Sequence, residues 1–401
     1  MKNSDNFENR TFWDYIFIVW FVTDAAFGHT PISMIGQLLF YSYSLFRCIN
    51  GHICKSSFMF FLYTLFVFFC WHNIETGNAI SENTAKTMLV VVIRNSIFLF
   101  FAYQYLLRTD LDKLRKLFFI SCVCASAIIL VSNYLITGSF VMRDVEDSTN
   151  GNSQAVNNAI ILGWIYCTKG NRIPKIRIIL MLFLFLFCIL AGTRKAIIVL
   201  VVIVMLYTML KNPSLILKNG LKLTLFGGVM IFLLLKVDFI YNIIGNRFEG
   251  LLGFINDSND VDASTNTRGQ YIDLGFTYFL LKPFEGYGID CFREIPGSYD
   301  TYSHNNYIEL LFGIGIWGTI SYYLMYLVSF FKGIKRYILF KCNTYVVLGI
   351  SIIIACLFAD YGMVSYFDRS TYLKILMCYF MVSFNDYYSP LRKKQERLMS
   401  K

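Results

Sequence analysis

The chain has 401 residues, 56% of them hydrophobic and only 15% charged, with a formal net charge of +10. Soluble domains are about 25% charged, so an ordinary soluble enzyme and a disordered chain are both excluded. The basic excess is not a nucleic-acid signature either. It falls in short clusters between apolar runs, as in a polytopic membrane protein.

Apolar windows near the length of a spanning helix, roughly 20 residues, occur along the whole chain. They lie at about 12–28, 31–48, 57–72, 87–107, 117–137, 153–168, 175–191, 195–210, 221–240, 305–331, 343–360 and 370–387. They predict an all-α polytopic membrane protein of about 12 transmembrane helices, with 1–401 as a single integral membrane domain. The first window carries Asp14 and Asp24 and lacks a small-x-small cleavage site, so it reads as a retained helix. The 11 Cys sit mostly in apolar runs or beside basic loops, and none shows zinc-type spacing with another Cys or with one of the 4 His. They read as free thiols, and neither a metal nor a cofactor is expected.

Basic clusters at 2–10, 47–55, 108–116, 169–177, 211–222, 332–341 and 392–401 alternate with the windows and hold most of the 36 Lys and Arg. The positive-inside rule then puts both termini in the cytoplasm. On the opposite side one connection is long, about 241–304, between the ninth and tenth windows. Long connections in compact proteins are usually functional or disordered. This one holds Gly286-Tyr-Gly288, many aromatics and His304, which favours function. Its stretch 268–281 is helix-like but too short to span, and is expected to lie at the interface.

Four motifs follow in order. Ala191-Gly-Thr-Arg-Lys195 is a tight turn between two apolar windows. Thr267-Arg-Gly-Gln-Tyr271 opens the short helix that ends at Lys282-Pro283. Phe284-Glu-Gly-Tyr-Gly288 comes next, and Ser303-His-Asn-Asn-Tyr-Ile-Glu-Leu-Leu311 runs into Gly313-Ile-Gly-Ile-Trp-Gly318. In this order, with the long outer connection, residues 190–320 resemble the O-antigen ligase and polymerase family of bacterial envelope polysaccharide synthesis. The resemblance implies a C-type glycosyltransferase-like fold in the bacterial cytoplasmic (inner) membrane, with its active site on the outer face. It implies undecaprenyl-diphosphate-linked oligosaccharide as substrate, no metal, and the bilayer, a flippase and a chain-length regulator as surroundings. It carries over Arg194, Arg268 and His304 as catalytic residues. Lys195 departs from the small residue usual after that arginine.

The chemistry of the residue types agrees. A leaving diphosphate develops negative charge, and guanidinium groups fork onto phosphate oxygens. A histidine can accept the proton of an acceptor hydroxyl. Attack opposite the diphosphate predicts inversion at the anomeric carbon. Each residue also has a plainer reading. Arg194 is equally a turn arginine reaching headgroups, Arg268 an interfacial anchor, and His304 a helix-start residue bonding its neighbours. Lys195, Arg143, Tyr287, Asn305, Asn306 and Glu309 are candidate substrate contacts. Headgroups, acidic neighbours and helix-start hydrogen bonds are the alternatives. Arg94, inside the fourth window, marks either function or a buried pair. Lys374 is expected to snorkel from an outer helix end.

A repeat-unit polymerase is the leading functional reading, with an O-antigen ligase as the alternative within the family. A flippase or other transporter is the alternative from another class, although no internal repeat supports it. The charge pattern makes a direct prediction. Single cysteines placed at Arg194, Arg268 or His304 in a Cys-free background should label from outside intact cells, and those at Lys113 or Lys335 only after permeabilisation. Labelling of the 268–304 positions only after permeabilisation would invert the topology.

Overall fold

The computed structural model describes residues 14–28, 30–49, 58–107, 109–142, 149–168, 174–211, 263–339 and 343–383. The ninth window at 221–240, the 241–262 part of the long connection, Arg143 and both termini lie outside the described residues.

The described chain is helical and has no strand. Its helices are α1 (Asp14–Phe27), α2 (Pro31–Ile49), α3 (Phe58–Glu75), α4 (Glu82–Leu107), α5 (Leu111–Thr137), α6 (Thr149–Cys167), α7 (Lys175–Leu190) and α8 (Arg194–Lys211). After the undescribed stretch come α9 (Ala263–Leu281), a 3-10 turn (Cys291–Glu294), α10 (Asn306–Leu339), α11 (Thr344–Asp360) and α12 (Arg369–Val382). Each apolar window within the described residues is a helix. Three helices, α4, α5 and α10, are long and apolar enough to cross a membrane.

Side-chain caps set several boundaries. Asp110 accepts from Asp112 N–H and Lys113 N–H at the start of α5, and Gly138 ends that helix at φ 73°. Asn343 caps α11 and Asp368 caps α12. Each supplies an acceptor to the orphan N–H groups of a first turn.

The bundle closes around α12. Every residue from Arg369 to Ser383 is buried, and the helix packs against α4, α10 and α11. A helix apolar on all faces belongs in such a centre, yet this one also carries Arg369 and Lys374. Lys374 does not snorkel. It is 2% exposed and its Nζ donates to Ser370 Oγ at 3.2 Å. Contacts also sort the connections onto two ends. At one, Arg115 bonds Thr168, Lys211 bonds Thr344 and Tyr345 bonds Asp112. At the other, Asp24 meets Arg369, Ser153 meets Asp368, and the 283–305 loop meets the α3–α4 corner.

α10 is broken near its start. Gly315 adopts φ 65° and ψ −172°, and the chain continues helical beyond it. Backbone groups released by such a break need new partners, because water is scarce inside a bundle. The loop 283–288 supplies them. Tyr287 N–H donates to Phe312 O at 2.9 Å, Gly288 N–H to Gly313 O at 2.8 Å, and Ile316 N–H to Pro283 O at 2.8 Å. So close a backbone approach leaves no room for side chains. A Cβ on Gly286 would sit 2.6 Å from the Gly313 carbonyl, and one on Gly315 2.5 Å from that of Phe284. The glycines of the third and fourth motifs are thus two sides of one contact.

Gly286→Ala should therefore destabilise the fold. The left-handed φ of 74° alone costs an L-residue roughly 1–2 kcal/mol, and the clash adds to it. Gly269→Ala, where a Cβ meets nothing within 4 Å, should be neutral or stabilising by up to ~1 kcal/mol. Thermal unfolding in detergent checks both. Equal midpoints for the two variants would remove the close-approach account.

Candidate functional site

The fourth motif is built to project His304. Glu309, buried one turn into α10, accepts from Ser303 N–H through Oε2 at 2.8 Å. Ser303 Oγ donates to Asn305 O at 2.9 Å. Asn305 Oδ1 caps α10 by accepting from Tyr307 N–H at 2.9 Å and Ile308 N–H at 3.2 Å. Asn306 reaches across the bundle. Its Oδ1 accepts from Ser365 N–H at 2.8 Å, and its Nδ2 donates to Tyr323 OH at 2.9 Å. Asp360 completes this cluster by accepting from Ser365 Oγ at 2.6 Å and Tyr323 OH at 3.1 Å.

With both neighbours fixed, His304 is held at φ 57°, a region that non-glycine residues seldom occupy. Strain of this kind persists only where the surroundings over-determine it. The half-buried imidazole packs 4.4 Å from the Tyr302 ring and lies parallel to Tyr271 of α9 at 6.3 Å. Burial, and then the positive charges of Arg268 and Lys195, lower its pKa from 6.5 to about 4. It is a neutral base at pH 7. Arg268 also acts on the Tyr302 hydroxyl, whose pKa burial raises.

Three motifs thus converge. Arg268 enters from the first turns of α9, whose Tyr271–Gly275 face packs on α10. Lys195 enters from the first turn of α8, where Thr193 Oγ1 caps the helix by accepting from Ala196 N–H. Arg194 is the first residue of α8 and is half-buried, but the cation of this pair that acts on His304 is Lys195.

The other candidates sit elsewhere. Asn305, Asn306 and Glu309 spend their side chains inside the protein, although Glu309 Oε1 has no partner among the described residues. Tyr287 stacks on Phe312 at 5.2 Å, with Lys282 Nζ 5.1 Å from its ring centre, beside the α10 break rather than in contact with His304. Arg94 is exposed on α4, not buried in a pair. Its neighbour Asn95 is the buried one and donates to Phe367 O at 3.0 Å. Among the described residues no group of three His, Cys, Asp or Glu is placed to hold a metal ion.

Sequence reasoning missed the pair Asp24–Arg369. Arg369 Nη1 donates to Asp24 Oδ1 at 2.6 Å, and Ser33 and Gln37 donate to the same oxygen at 3.1 and 3.2 Å. The signal was present. Asp24 lies inside an apolar window, where a charge needs a partner, but the partner is 345 residues away.

The helical bundle with a polar, cationic site at one end defines a membrane protein with an embedded site. Residues 179–323 match the family model described as O-antigen ligase, which supports the resemblance carried by the motifs to the O-antigen ligase and polymerase family, whose members are membrane glycosyltransferase-like enzymes. The match spans the Arg194 turn, α9 and the His304 motif. No curated protein matches the chain.

Breaking the Asp24–Arg369 pair should cost on the order of 3–5 kcal/mol. Arg369→Met and Asp24→Leu should each lower the thermal midpoint strongly. The double variant should recover part of the loss, incompletely because Ser33 and Gln37 also lose their acceptor. Additive losses in the double variant would show that the two side chains are not coupled.

Proposed function

We propose that the chain is a polymerase of lipid-linked oligosaccharide repeat units. It transfers glycan from undecaprenyl diphosphate to an acceptor sugar hydroxyl at the outer face of the bacterial cytoplasmic membrane. The observation that carries this reading is a neutral imidazole, His304, beside two cations, Arg268 and Lys195. The acceptor oxygen bonds to the anomeric carbon as the bond from that carbon to the diphosphate oxygen breaks. The electron pair leaves with the diphosphate, and the hydroxyl proton goes to His304. Arg268 takes the developing charge, assisted by Lys195 and Arg194. This is the electrostatic role that a metal plays in other transferases, so turnover should persist in EDTA. Inversion follows from attack opposite the leaving group.

The cations also tune the base. They add to burial, the larger cause, in holding the free imidazole below its ordinary pKa. A bound diphosphate offsets their charge, so His304 becomes more basic when substrate is present.

Deletion in the native host tests the function. Glycan capped at a single repeat identifies a polymerase, long polymer stranded on its carrier identifies a ligase, and unchanged glycan refutes both. In a complemented deletion, His304→Ala should lower chain production at least about a hundredfold. Arg268→Lys should lower it by one to two decades, because lysine lacks the fork that reaches two phosphate oxygens. The acid limb of kcat/KM reports the free enzyme and should fall as pH drops through about 4. Arg268→Gln should move that limb upward, since one depressing charge is gone. A limb that stays in place would separate Arg268 from His304.

A further inference from the structure

A cleft of about 140 Å³ lies between α1, α6, the start of α8, Tyr302 and the α11–α12 connection. It adjoins the His304 site, because Lys195 and Tyr302 line it and both neighbour His304. Its α6 wall is unusual for a helix inside a bundle. Asn152, Ser153, Gln154 and Asn157 all line the cleft, where a helix serving only packing would be apolar.

Part of this polarity is consumed internally. Gln154 Nε2 donates to Asn158 Oδ1 at 2.8 Å, and Asn158 Nδ2 donates to Ser126 Oγ at 2.8 Å. Part is not. Gln154 Oε1, Asn157 Oδ1, Trp20 Nε1 and Arg369 Nε are buried and have no hydrogen-bond partner among the described residues. All four residues line the cleft. Gln154 is 0% exposed and Asn157 1%. Buried polar atoms left unpaired in a native protein call for an explanation, and four of them on the lining of one cleft point to a bound partner there.

The set of atoms narrows the ligand. These two acceptors and two donors belong to residues that all border one space. The Arg369 charge is already met by Asp24, and an anion drawn to Lys195 would still leave the two amide oxygens unpaired. A hydrocarbon chain would pair none of the four. A ring bearing several hydroxyls suits them, because each hydroxyl both donates and accepts. Trp20, whose indole stacks on Phe40 and Phe98, borders the cleft, and the half-buried ring of Phe367 in its lining offers an apolar surface to the C–H face of such a ring.

We infer that this cleft is an acceptor subsite. It holds the terminal uncharged sugar of the acceptor glycan through Gln154, Asn157, Trp20 and Arg369, and presents one hydroxyl past Tyr302 to His304. The assignment of the hydroxyl rests on the polymerase reading above. The assignment of a saccharide to the cleft does not.

The test uses full-length protein in detergent, carrying His304→Ala so that nothing turns over. The probe is the host's repeat-unit oligosaccharide freed from its carrier by mild acid. Tryptophan fluorescence should change saturably on titration, and the change should vanish in Trp20→Phe. Asn157→Ala should weaken binding about tenfold or more. It removes a carboxamide oxygen that has no partner among the described residues, and thermal unfolding of the variant checks that it folds. Ala25→Phe, which fills the cleft without removing a hydrogen bond, should weaken binding as well. With His304 restored, Asn157→Ala should raise the KM for the free oligosaccharide acceptor and leave the KM for the lipid-linked donor unchanged. A donor KM that rises alone overturns the proposal. So does a titration that is flat, or indifferent to Trp20 and Ala25, for protein whose wild type elongates the lipid-linked unit. Binding at Trp20 by a wild type that transfers no sugar would keep the cleft as a saccharide site and refute the polymerase reading instead.

Discussion

The backbone exchange at the break in α10 is the contact on which the site depends. A helix interrupted inside a bundle exposes carbonyls and N–H groups that water cannot reach, at a cost of several kcal/mol if they stay unpaired. Loop 283–288 meets the groups at 312, 313 and 316 and is thereby fixed in place. The same loop is tied to the α3–α4 corner, through Ile80 N–H to Tyr287 O and Asn73 to Glu285 O. The chain from 283 to 305 thus starts from a rigid anchor at one end. At its other end Glu309 and Asn306 bind it to α10 and to the 365–366 backbone. His304 sits between these two anchors.

This arrangement explains how a strained histidine is maintained. The left-handed φ at His304 is imposed by hydrogen bonds on Ser303, Asn305 and Asn306 rather than by the imidazole, whose contacts are with rings. The side chain stays available while its backbone is held. Cations then arrive from two other helices. Because Arg268 and Lys195 come from different elements, the charge around His304 depends on how α8 and α9 pack against α10.

Much of the fold was legible because hydropathy alone reports it. The apolar windows correspond to helices wherever the chain is described, and α9 extends five residues before the predicted 268. The motifs that meet at His304 were legible as well, since each carries its own glycine or cation. What could not be read was which helix lies at the centre. Apolarity does not distinguish a lipid-facing surface from a buried one, so Lys374 looked like an outer-end lysine although α12 is enclosed on every side. Long-range polar pairs were also hidden. Asn306 with Ser365 and Asp24 with Arg369 join positions that no local pattern connects. For Asn305, Asn306 and Glu309 the sequence left sugar contact and helix-start hydrogen bonds both open, and the structure shows the hydrogen bonds that hold the loop.

The central position of α12 has a consequence for biogenesis. It is the last of the described helices to be synthesised, yet the others pack around it. A nascent chain that stops before residue 365 leaves Asp24 without Arg369 and Asn306 without the 365–366 backbone, both within an apolar bundle. The helices before it can form one after another, but Asp24 and Asn306 find these partners only when Arg369 and the 365–366 backbone are in place. Arrival of α12 and closure of the described bundle are therefore one event. A product truncated before that point carries a largely buried carboxylate without its guanidinium, and its His304 loop lacks the Asn306 anchor.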